Sequence, residues 1–473
     1  MSVLNILPQV VGEGREEYKK IVDSGYCPAD LNKYFTEKDY VTDMESPGFL
    51  AGNFESESPG SGAANSIFCG ENLEYMCYLI REKGLAGRIK MIYIDPPFFT
   101  LNDHGANFTI KTDKVKDVPV MRQQAYQDKW GGDISEYFKM LCIRLMVMRD
   151  LLADDGGIFV HLDWHVVHHV KLLMDEIFGE ENFVNEIIWH YKSGGVSKRY
   201  FARKHDNILY YSKSKKYYFD PQKEKSYNRG YKPYRFKGVA EYEDSLGWYT
   251  MVNQKDVWQI DMVGRSSNER VSYATQKPQA LIERMLDSCT KEGDLCADFF
   301  CGSGTLAVAA RRAGRNFICC DSGKLAVSNT AKRLLKDGAA FTLLSPGYIS
   351  AAEIGAELSF NNQLYLDGRA IVTVTLTDYN IDEKEFMLKG KHTTIAAEIL
   401  EKDPLALIDF WCVDTNYDGE TFRPDHLITR EGKKAIERNC DIRLSGDGAV
   451  CVKAYDFFGN SMTKVLEYSN SAI

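Results

Sequence analysis

Met91-Ile92-Tyr93-Ile94-Asp95-Pro96-Pro97-Phe98 is the stretch around which the chain is organised. Four apolar residues stop abruptly in a carboxylate and two prolines, the pattern of a buried strand that delivers a rigid loop. Neither proline has an N–H to donate, so a sheet ladder cannot continue through them. Asp95 is therefore fixed at the strand's carboxyl end beside carbonyls that only accept hydrogen bonds, and an aromatic ring follows at once. This set suits a flat ring that bears an amine. Carboxylate and carbonyl accept from an exocyclic NH2 while Phe98 stacks on the ring face. An ordinary strand-to-loop exit is the alternative, and the rest of the chain has to separate the two.

The 473 residues leave room for two or three domains at roughly 150 residues each. Hydrophobic residues make up 44% and charged residues 26%, which fits a globular chain with a large core. No apolar run approaches the roughly 18 residues that span a bilayer, and Met1-Ser2-Val3 opens no basic-then-apolar leader. A cytoplasmic protein without a membrane partner is expected. Cys301, Cys319 and Cys320 lie in or beside apolar runs, and no CxxC pair has metal spacing, so the twelve cysteines read as buried free thiols. His161, His165, His168 and His169 read as helix and strand-end residues, and no metal is expected. The net charge of −9 excludes a chain that is basic throughout, but not a local basic stripe.

Residues 1–64 read as an appendage, with a short helix over Glu16–Ser24 and a Ser-, Gly- and Pro-rich linker over Ser56–Asn65. Ser66–Cys69 is strand-like and runs into Gly70-Glu71-Asn72-Leu73, a turn suited to touch a nucleotide, and Tyr75–Lys83 then has helical period. After Phe98 the chain is polar and irregular to about Asp133, a length that lids and binding loops reach. Ile134–Leu152 is an amphipathic helix, with Tyr137, Leu141, Leu145, Met148 and Leu152 on one face and Asp154-Asp155-Gly156-Gly157 ending it. Ile158–Leu162 is the next strand, Val166–Phe178 a helix, Val184–Trp189 a strand, and Ile208–Ser212 its antiparallel partner.

From Tyr191 to Gly238 the chain carries fourteen Lys and Arg against three acids, Asp206, Asp220 and Glu224. The basic residues include Lys198, Arg199, Arg203, Lys204, Lys213, Lys215, Lys216 and Arg229. Tyr191, Tyr200, Phe201, Tyr217, Tyr218, Tyr227, Tyr231 and Tyr234 are interleaved with them. A phosphate backbone and unstacked bases require this composition. A solvated charged face is the plainer alternative; the acidity of the rest of the chain and the neighbouring candidate base pocket favour nucleic acid.

Thr275-Gln276-Lys277-Pro278 caps a helix over Gln279–Thr290. Leu295–Phe299 is then a strand, and Asp298-Phe299-Phe300-Cys301-Gly302-Ser303-Gly304-Thr305 opens the helix Leu306–Ala313. Glycines between a strand and a helix let backbone approach a ligand that side chains would keep away. A second strand, Asn316–Cys320, ends in Asp321, about twenty residues after the glycines, where an acid reaches a ribose diol. Together they indicate a nucleoside site. The absence of a G-K-[ST] ending and of a third glycine disfavours ATP hydrolysis and hydride transfer. From about Ala339 the chain carries 13 basic residues against 21 acids, with strand-like runs at Ile371–Leu376, Leu405–Trp411 and Gly448–Tyr455. A separate acidic β-rich domain is expected there, with an immunoglobulin-like sandwich as its arrangement.

Taken together these motifs resemble the amino-methyltransferases of DNA in which the catalytic motif precedes the cofactor glycines, and most of all the modification subunits of type III restriction–modification systems. Asp95-Pro96-Pro97-Phe98 matches their catalytic Asp-Pro-Pro-aromatic motif, Asp298 to Thr305 their cofactor loop, and Thr275-Gln276-Lys277-Pro278 their Thr-Gln-Lys-Pro. Tyr126-Gln127-Asp128-Lys129-Trp130, His161-Leu162-Asp163 and Glu176-Ile177-Phe178-Gly179 are similar to further family blocks, in the expected order. The likeness runs from about Ser66 to Lys336. Two positions depart from the pattern: Glu71 stands where the family usually has Asp, and Phe98 where Tyr is commoner, which keeps stacking but removes a hydroxyl.

The resemblance implies an α/β fold, a permuted doubly wound Rossmann-like sheet over residues 65–338, with a target-recognition region inserted at about 191–262 and a small β-rich domain over 339–473. The strands from Ser66 to Ser212 would form the catalytic half and Leu295 to Asp321 the cofactor half. S-adenosylmethionine would be the cofactor and the N6 amine of adenine in double-stranded DNA, flipped from the helix, the acceptor. Asp95, Pro96, Pro97 and Phe98 are the implied catalytic residues. Glu71, Asn72, Asp95, Thr275, Gln276, Lys277, Pro278, Asp298, Phe300, Cys301, Gly302, Ser303, Gly304, Thr305 and Asp321 are the implied cofactor residues, with Asp321 on the ribose and Lys277 on the methionine carboxylate. The eight basic residues named above would contact DNA. A homodimer and a restriction or helicase subunit are the partners such proteins admit. Three alternatives stay open: a recognition subunit inactive alone, N4-cytosine as the acceptor, and an RNA or protein amide substrate.

Overall fold

Nine short strands assemble into one central sheet in the computed structural model, which describes residues 3–27, 65–100, 103–127, 133–192, 196–264, 267–271, 273, 275–344, 352–364, 370–420, 422–430 and 434–469. In chain order they are β1 (Ser66–Cys69), β2 (Ile89–Ile94), β3 (Leu152–Leu162), β4 (Phe183–His190), β5 (His205–Ser212), β6 (Val257–Gln259), β7 (Leu295–Asp298), β8 (Asn316–Asp321) and β9 (Thr342–Leu344). Their order across the sheet is β6-β4-β5-β3-β2-β7-β8-β1-β9. Neighbours are parallel throughout, except that β5 runs antiparallel to both β3 and β4. The linker expected at 56–64 and residues 128–130 of the Tyr126–Trp130 block lie outside the described residues.

Parallel strands buried on both faces read as continuous apolar runs, and β2 does so with its side chains divided between two cores. Ile92 and Ile94 enter the layer of helices α1 (Val3–Asp23), α2 (Asn72–Arg81), α3 (Ile134–Leu151) and α4 (Val167–Phe178). Met91 and Tyr93 enter the opposite layer of α5 (Gln279–Cys289), α6 (Thr305–Arg312) and α7 (Lys324–Lys336). Each fully buried aliphatic side chain stabilises this sandwich by roughly 1.5–3 kcal/mol. Among the described residues no helix is long and apolar enough to cross a membrane.

Strand order places the site. From β2 the chain moves to β3 on one side, and from β7 it moves to β8 on the other, while β2 and β7 pair in parallel through Met91–Cys296 and Ile92–Ala297. That reversal opens a crevice beyond the carboxyl ends of β2 and β7, where open α/β sheets bind ligands.

Four expectations change. The helix expected over Glu16–Ser24 is α1, which begins at Val3 and packs on α3; at Gly14 a Cβ would come within 2.7 Å of the Cys142 sulfur. β1 lies between β8 and β9, so it joins the cofactor half and not the catalytic half. α3 passes straight into β3 at Leu152, and Asp154-Asp155-Gly156-Gly157 is strand. The span after Phe98 holds an antiparallel hairpin, Asp103–Phe108 with Met121–Gln127. Phe108 and Met121 of this hairpin pack in a core shared with the tail. The tail keeps the immunoglobulin-like strand order, its first, second and fifth strands in one sheet and its fourth, third, sixth and seventh in the other, all antiparallel. A three-stranded sheet (Ala352–Leu364, Ala370–Ile381, Asn439–Leu444) faces a four-stranded one (Ile408–Asp414, His426–Thr429, Gly448–Asp456, Ser461–Tyr468), and helix α8 (Lys391–Lys402) intervenes in the chain. The four-stranded sheet is covered on both sides: Trp411 and Val413 enter the tail's own core, while Phe410 and Cys412 enter the α5–α7 layer.

Candidate active site

The crevice is a cavity of about 990 Å³ lined by the ends of β1, β2, β7 and β8 and the loops that follow them. Asp95, Pro96, Pro97 and Phe98 all line it. Phe99 then turns the chain in the left-handed region at φ 57°, a strain of about 1–2 kcal/mol for a bulky residue. Packing of its ring 5.8 Å from Tyr137 accompanies that turn.

Two side chains hold the catalytic loop. Lys277 donates to Asp95 Oδ2, and its ammonium also stands 5.5 Å from the centre of the Phe98 ring. Asp95 Oδ1 is buried and has no hydrogen-bond partner among the described residues. On the other side Phe98 stacks on His161, with centroids 6.1 Å apart and planes 21° apart. His161 is fully buried, with Tyr93 Oη 2.9 Å from Nδ1 and Asp206 Oδ2 3.3 Å from Nε2, and Tyr191 Oη donates to Asp206 Oδ1 at 3.1 Å. Burial raises the Asp206 carboxyl, but His161, the Lys277 charge and Tyr191 outweigh it and hold the group below the ordinary range. Burial raises Asp163, which also lines the cavity.

The glycine loop forms the opposite wall. Gly302 (φ 50°) and Gly304 (φ 71°) adopt conformations that favour glycine. A Cβ on Gly304 would come 2.4 Å from Thr330 Cγ2, and one on Gly302 3.2 Å from the Tyr273 ring. Asp321 accepts from the Gly302 and Gly323 N–H groups, both at 2.8 Å, and burial raises its carboxyl. Asp298 is buried beneath the loop and accepts from Phe300 N–H at 3.0 Å; burial raises it too.

The expected cofactor residues divide into two groups. Glu71, Asn72, Asp95, Thr275, Lys277, Phe300, Gly302 and Asp321 line the cavity, whereas Gln276, Pro278, Asp298, Cys301, Ser303, Gly304 and Thr305 do not. The second group holds the loop from behind. Gln276 bonds the Glu269 carbonyl and Val271 N–H; Thr305 donates to Lys277 O at 3.1 Å, and Arg333 to Ser303 O at 2.7 Å. Asn72 and Glu71 are braced as well. Arg144 donates to Asn72 Oδ1 and both Glu71 oxygens, and Asn72 Nδ2 donates to Phe299 O at 2.8 Å.

The basic residues also divide, because β5 is antiparallel. Lys198, Arg199, Arg203 and Lys204 lie on the β4–β5 connection, which adjoins the carboxyl ends of the parallel strands. Tyr191 N–H bonds Lys204 O there, and the Arg203 guanidinium stands 3.7 Å from the centre of the exposed Trp164 ring. Lys213, Lys215 and Lys216 follow the far end of β5, where Ser212 pairs with Gly157. Lys213 donates to Arg149 O and Leu152 O and caps α3. These three therefore lie at the opposite end of β5 from Lys198, Arg199, Arg203 and Lys204. Arg229 is exposed beside the small antiparallel sheet of Lys223–Tyr227, Glu241–Asp244 and Gly247–Asn253.

A family model described as DNA methylase, of N6/N4 type, matches residues 89–333, just over half of the 473 residues. The chain belongs to the DNA methylase family. The methylase is similar to the type II methyltransferase M2.LlaDCHI of Lactococcus lactis subsp. cremoris, 29% identical over 270 residues, 56% of this chain and 89% of the relative. It is 31% identical over 161 residues to the Mod subunit of the type III restriction-modification enzyme EcoP15I of Escherichia coli, covering 31% of this chain and 24% of that one. Among solved structures, the M1.HpyAVI–SAM complex aligns at 17% identity with a TM-score of 0.36, over 57% of this chain and 98% of its own. The match in the methylase takes in Asp95–Phe98, Asp298–Thr305 and Asp321, and stops short of the tail.

Arg144, Asp206 and Gln123 also line the methylase cavity, and none of them stood out in sequence. Asp206 was visible only as an acid in a basic stretch. Arg144 and Gln123 carried no signal.

Proposed function

We propose that this DNA methylase is a site-specific methyltransferase that moves the methyl group of S-adenosylmethionine to the N6 amine of adenine in DNA. Asp95 carries the assignment. Asp95 lines the cavity, one carboxylate oxygen is held by Lys277, and the other is buried without a donor among the described residues, which leaves it free to accept an amine N–H. A ring amine is a poor nucleophile because its lone pair is delocalised. Asp95 Oδ1 and the Pro96 carbonyl, accepting from its two N–H bonds, localise that pair on nitrogen, while Phe98, resting on His161, holds the plane of the ring.

The donor wall fits S-adenosylmethionine by its chemistry: the Gly302 backbone is bare toward the cavity, and Glu71, Phe300 and Asp321 line the same wall. When bound, the cofactor supplies an activated methyl group on a sulfonium. The protein's own contribution is then positioning, which reaches roughly 7–11 kcal/mol in well-aligned systems. A stacked base cannot enter the crevice, so the target is flipped out at a cost of a few kcal/mol. Lys198, Arg199, Arg203 and Lys204, on the β4–β5 connection, are the residues we assign to the flanking phosphates. The adenine assignment rests on the resemblance to type III modification subunits, whose restriction partners are the assembly it points to.

Transfer of labelled methyl groups to duplex DNA, followed by nucleoside mass spectrometry, tests this. N6-methyladenine is expected. N4-methylcytosine would overturn the base, labelled RNA or protein with unlabelled DNA would overturn the substrate, and DNA binding without transfer would reassign the chain as a recognition subunit.

A further inference from the structure

The tail beyond the family match closes on both sides of the crevice through one turn. Strands Gly448–Asp456 and Ser461–Tyr468 are joined by residues 457–460, and Phe458 lines the methylase cavity. The turn is rigidly built. Asp456, 1% exposed, accepts from Phe458 N–H, Asn460 N–H, Asn460 Nδ2 and Tyr379 Oη at 2.8–2.9 Å.

On one side the turn holds the hairpin that continues the catalytic loop. Phe108 stacks on Phe457 with centroids 4.9 Å and planes 8° apart, and Phe108, Ile110, Val115 and Met121 all belong to the tail's core. Thr112 donates to Asp403 Oδ2 at 2.6 Å. Gln123, 1% exposed, donates from Nε2 to Phe458 O at 3.1 Å and lines the cavity, and its Oε1 is buried without a partner among the described residues. On the other side the turn presses on the start of α7, just past Asp321. A Cβ on Gly459, at φ 91°, would come 2.5 Å from Leu325 N and 2.6 Å from Lys324 C. Lys324 Nζ donates to Asn460 Oδ1 at 3.1 Å and to Glu385 at 3.3 Å.

We propose that the C-terminal domain is a working part of the transfer site, and that its turn 457–460 positions the acceptor wall through Gln123 and the cofactor wall through Gly459. This rests on the methyl-transfer reading. Gln123 and Gly459 are positioning residues: one fixes the hairpin behind the catalytic loop, the other sets how closely α7 and Asp321 approach the cavity. The two walls are then held in register by a domain that carries none of the family's motifs.

The test compares full-length wild type, Gln123→Leu, Gln123→Asn and Gly459→Ala for kcat, for KM of S-adenosylmethionine and duplex DNA, for equilibrium cofactor affinity and for melting temperature. Gln123→Leu is expected to lower kcat about 100-fold, with melting within about 2 °C of wild type. Gln123→Asn, which keeps the amide, should recover part of that loss. Gly459→Ala is expected to weaken cofactor affinity about tenfold while leaving kcat at saturation nearly unchanged. Wild-type kcat in Gln123→Leu together with wild-type affinity in Gly459→Ala would overturn the proposal. So would losses that only follow the folded fraction. A wild type that binds S-adenosylmethionine but methylates nothing overturns the functional reading instead, and the Gly459→Ala affinity then decides the turn's role by itself.

Discussion

Lys277 is the residue whose meaning the structure alters most. Its motif suggested the methionine carboxylate as its partner, yet its ammonium lies against Asp95 and over the Phe98 ring. Holding one carboxylate oxygen fixes the plane of the carboxylate at the cavity wall, so Lys277 governs which lone pairs the amine meets. Asp95→Ala should remove methyl transfer by at least about 10²–10³-fold in kcat while cofactor binding stays measurable; full activity would sink the mechanism. Lys277→Met should lower kcat less than Asp95→Ala does, because Asp95 Oδ1 remains. It also leaves a carboxylate without its buried counter-charge, and that uncompensated charge should lower the melting temperature. Single-turnover rates and thermal melts on both variants check this pair.

At the scale of elements, two segments carry opposite expectations although the sequence ran them together. The β4–β5 connection should behave as a phosphate surface. Reversing Arg199 and Lys204 to Glu is expected to weaken DNA binding and flatten the dependence of log K on log salt by about 0.9 for each phosphate that is no longer neutralised. Lys213→Met should leave that slope unchanged and instead cost about 1 kcal/mol of stability by removing the cap on α3. Filter binding across a salt series separates the two. The glycine loop gives a third test. Gly304→Ala places a Cβ at φ 71° within 2.4 Å of Thr330, so strain and overlap should destabilise the fold by about 1–3 kcal/mol, as denaturant unfolding would show.

For the whole molecule, the tail couples to pH through a buried carboxyl. Burial, opposed by its hydrogen bonds, pushes Asp456 up to about 6. Between the unfolded value near 3.9 and that figure, the native chain holds a proton that the unfolded chain has released. Stabilisation from the protonated group is therefore complete below about pH 4 and is lost as pH rises through about 6. The shift of about two units amounts to roughly 3 kcal/mol. Asp456→Asn cannot titrate, so the difference in unfolding free energy between wild type and variant should move by about that amount between pH 4 and 7, against wild type as pH rises. A constant difference across that range would remove Asp456 from the pH response.

Local chemistry was legible in the chain by itself. Prolines after Asp95 had to end a strand, glycines after Asp298 had to make a close turn, and apolar runs of four to six residues had to be buried strands. These facts depend on neighbours within a few residues, and they sufficed for the two halves of the crevice, while the α/β class came from the family resemblance. The partners of those residues were not legible, because each is set by an interaction between distant segments. Lys277 meets Asp95 across 182 positions and Gln123 meets Phe458 across 335. The antiparallel sense of β5 beside β4 is as the sequence led us to expect, but its second pairing, with β3, joins distant segments and sets the two ends of the basic stretch at opposite ends of the sheet. The tail reads as an acidic appendage because its apolar residues are spread over two cores, one of them the methylase's own. Only the tertiary structure brings Phe458 of the tail to the wall of the cavity.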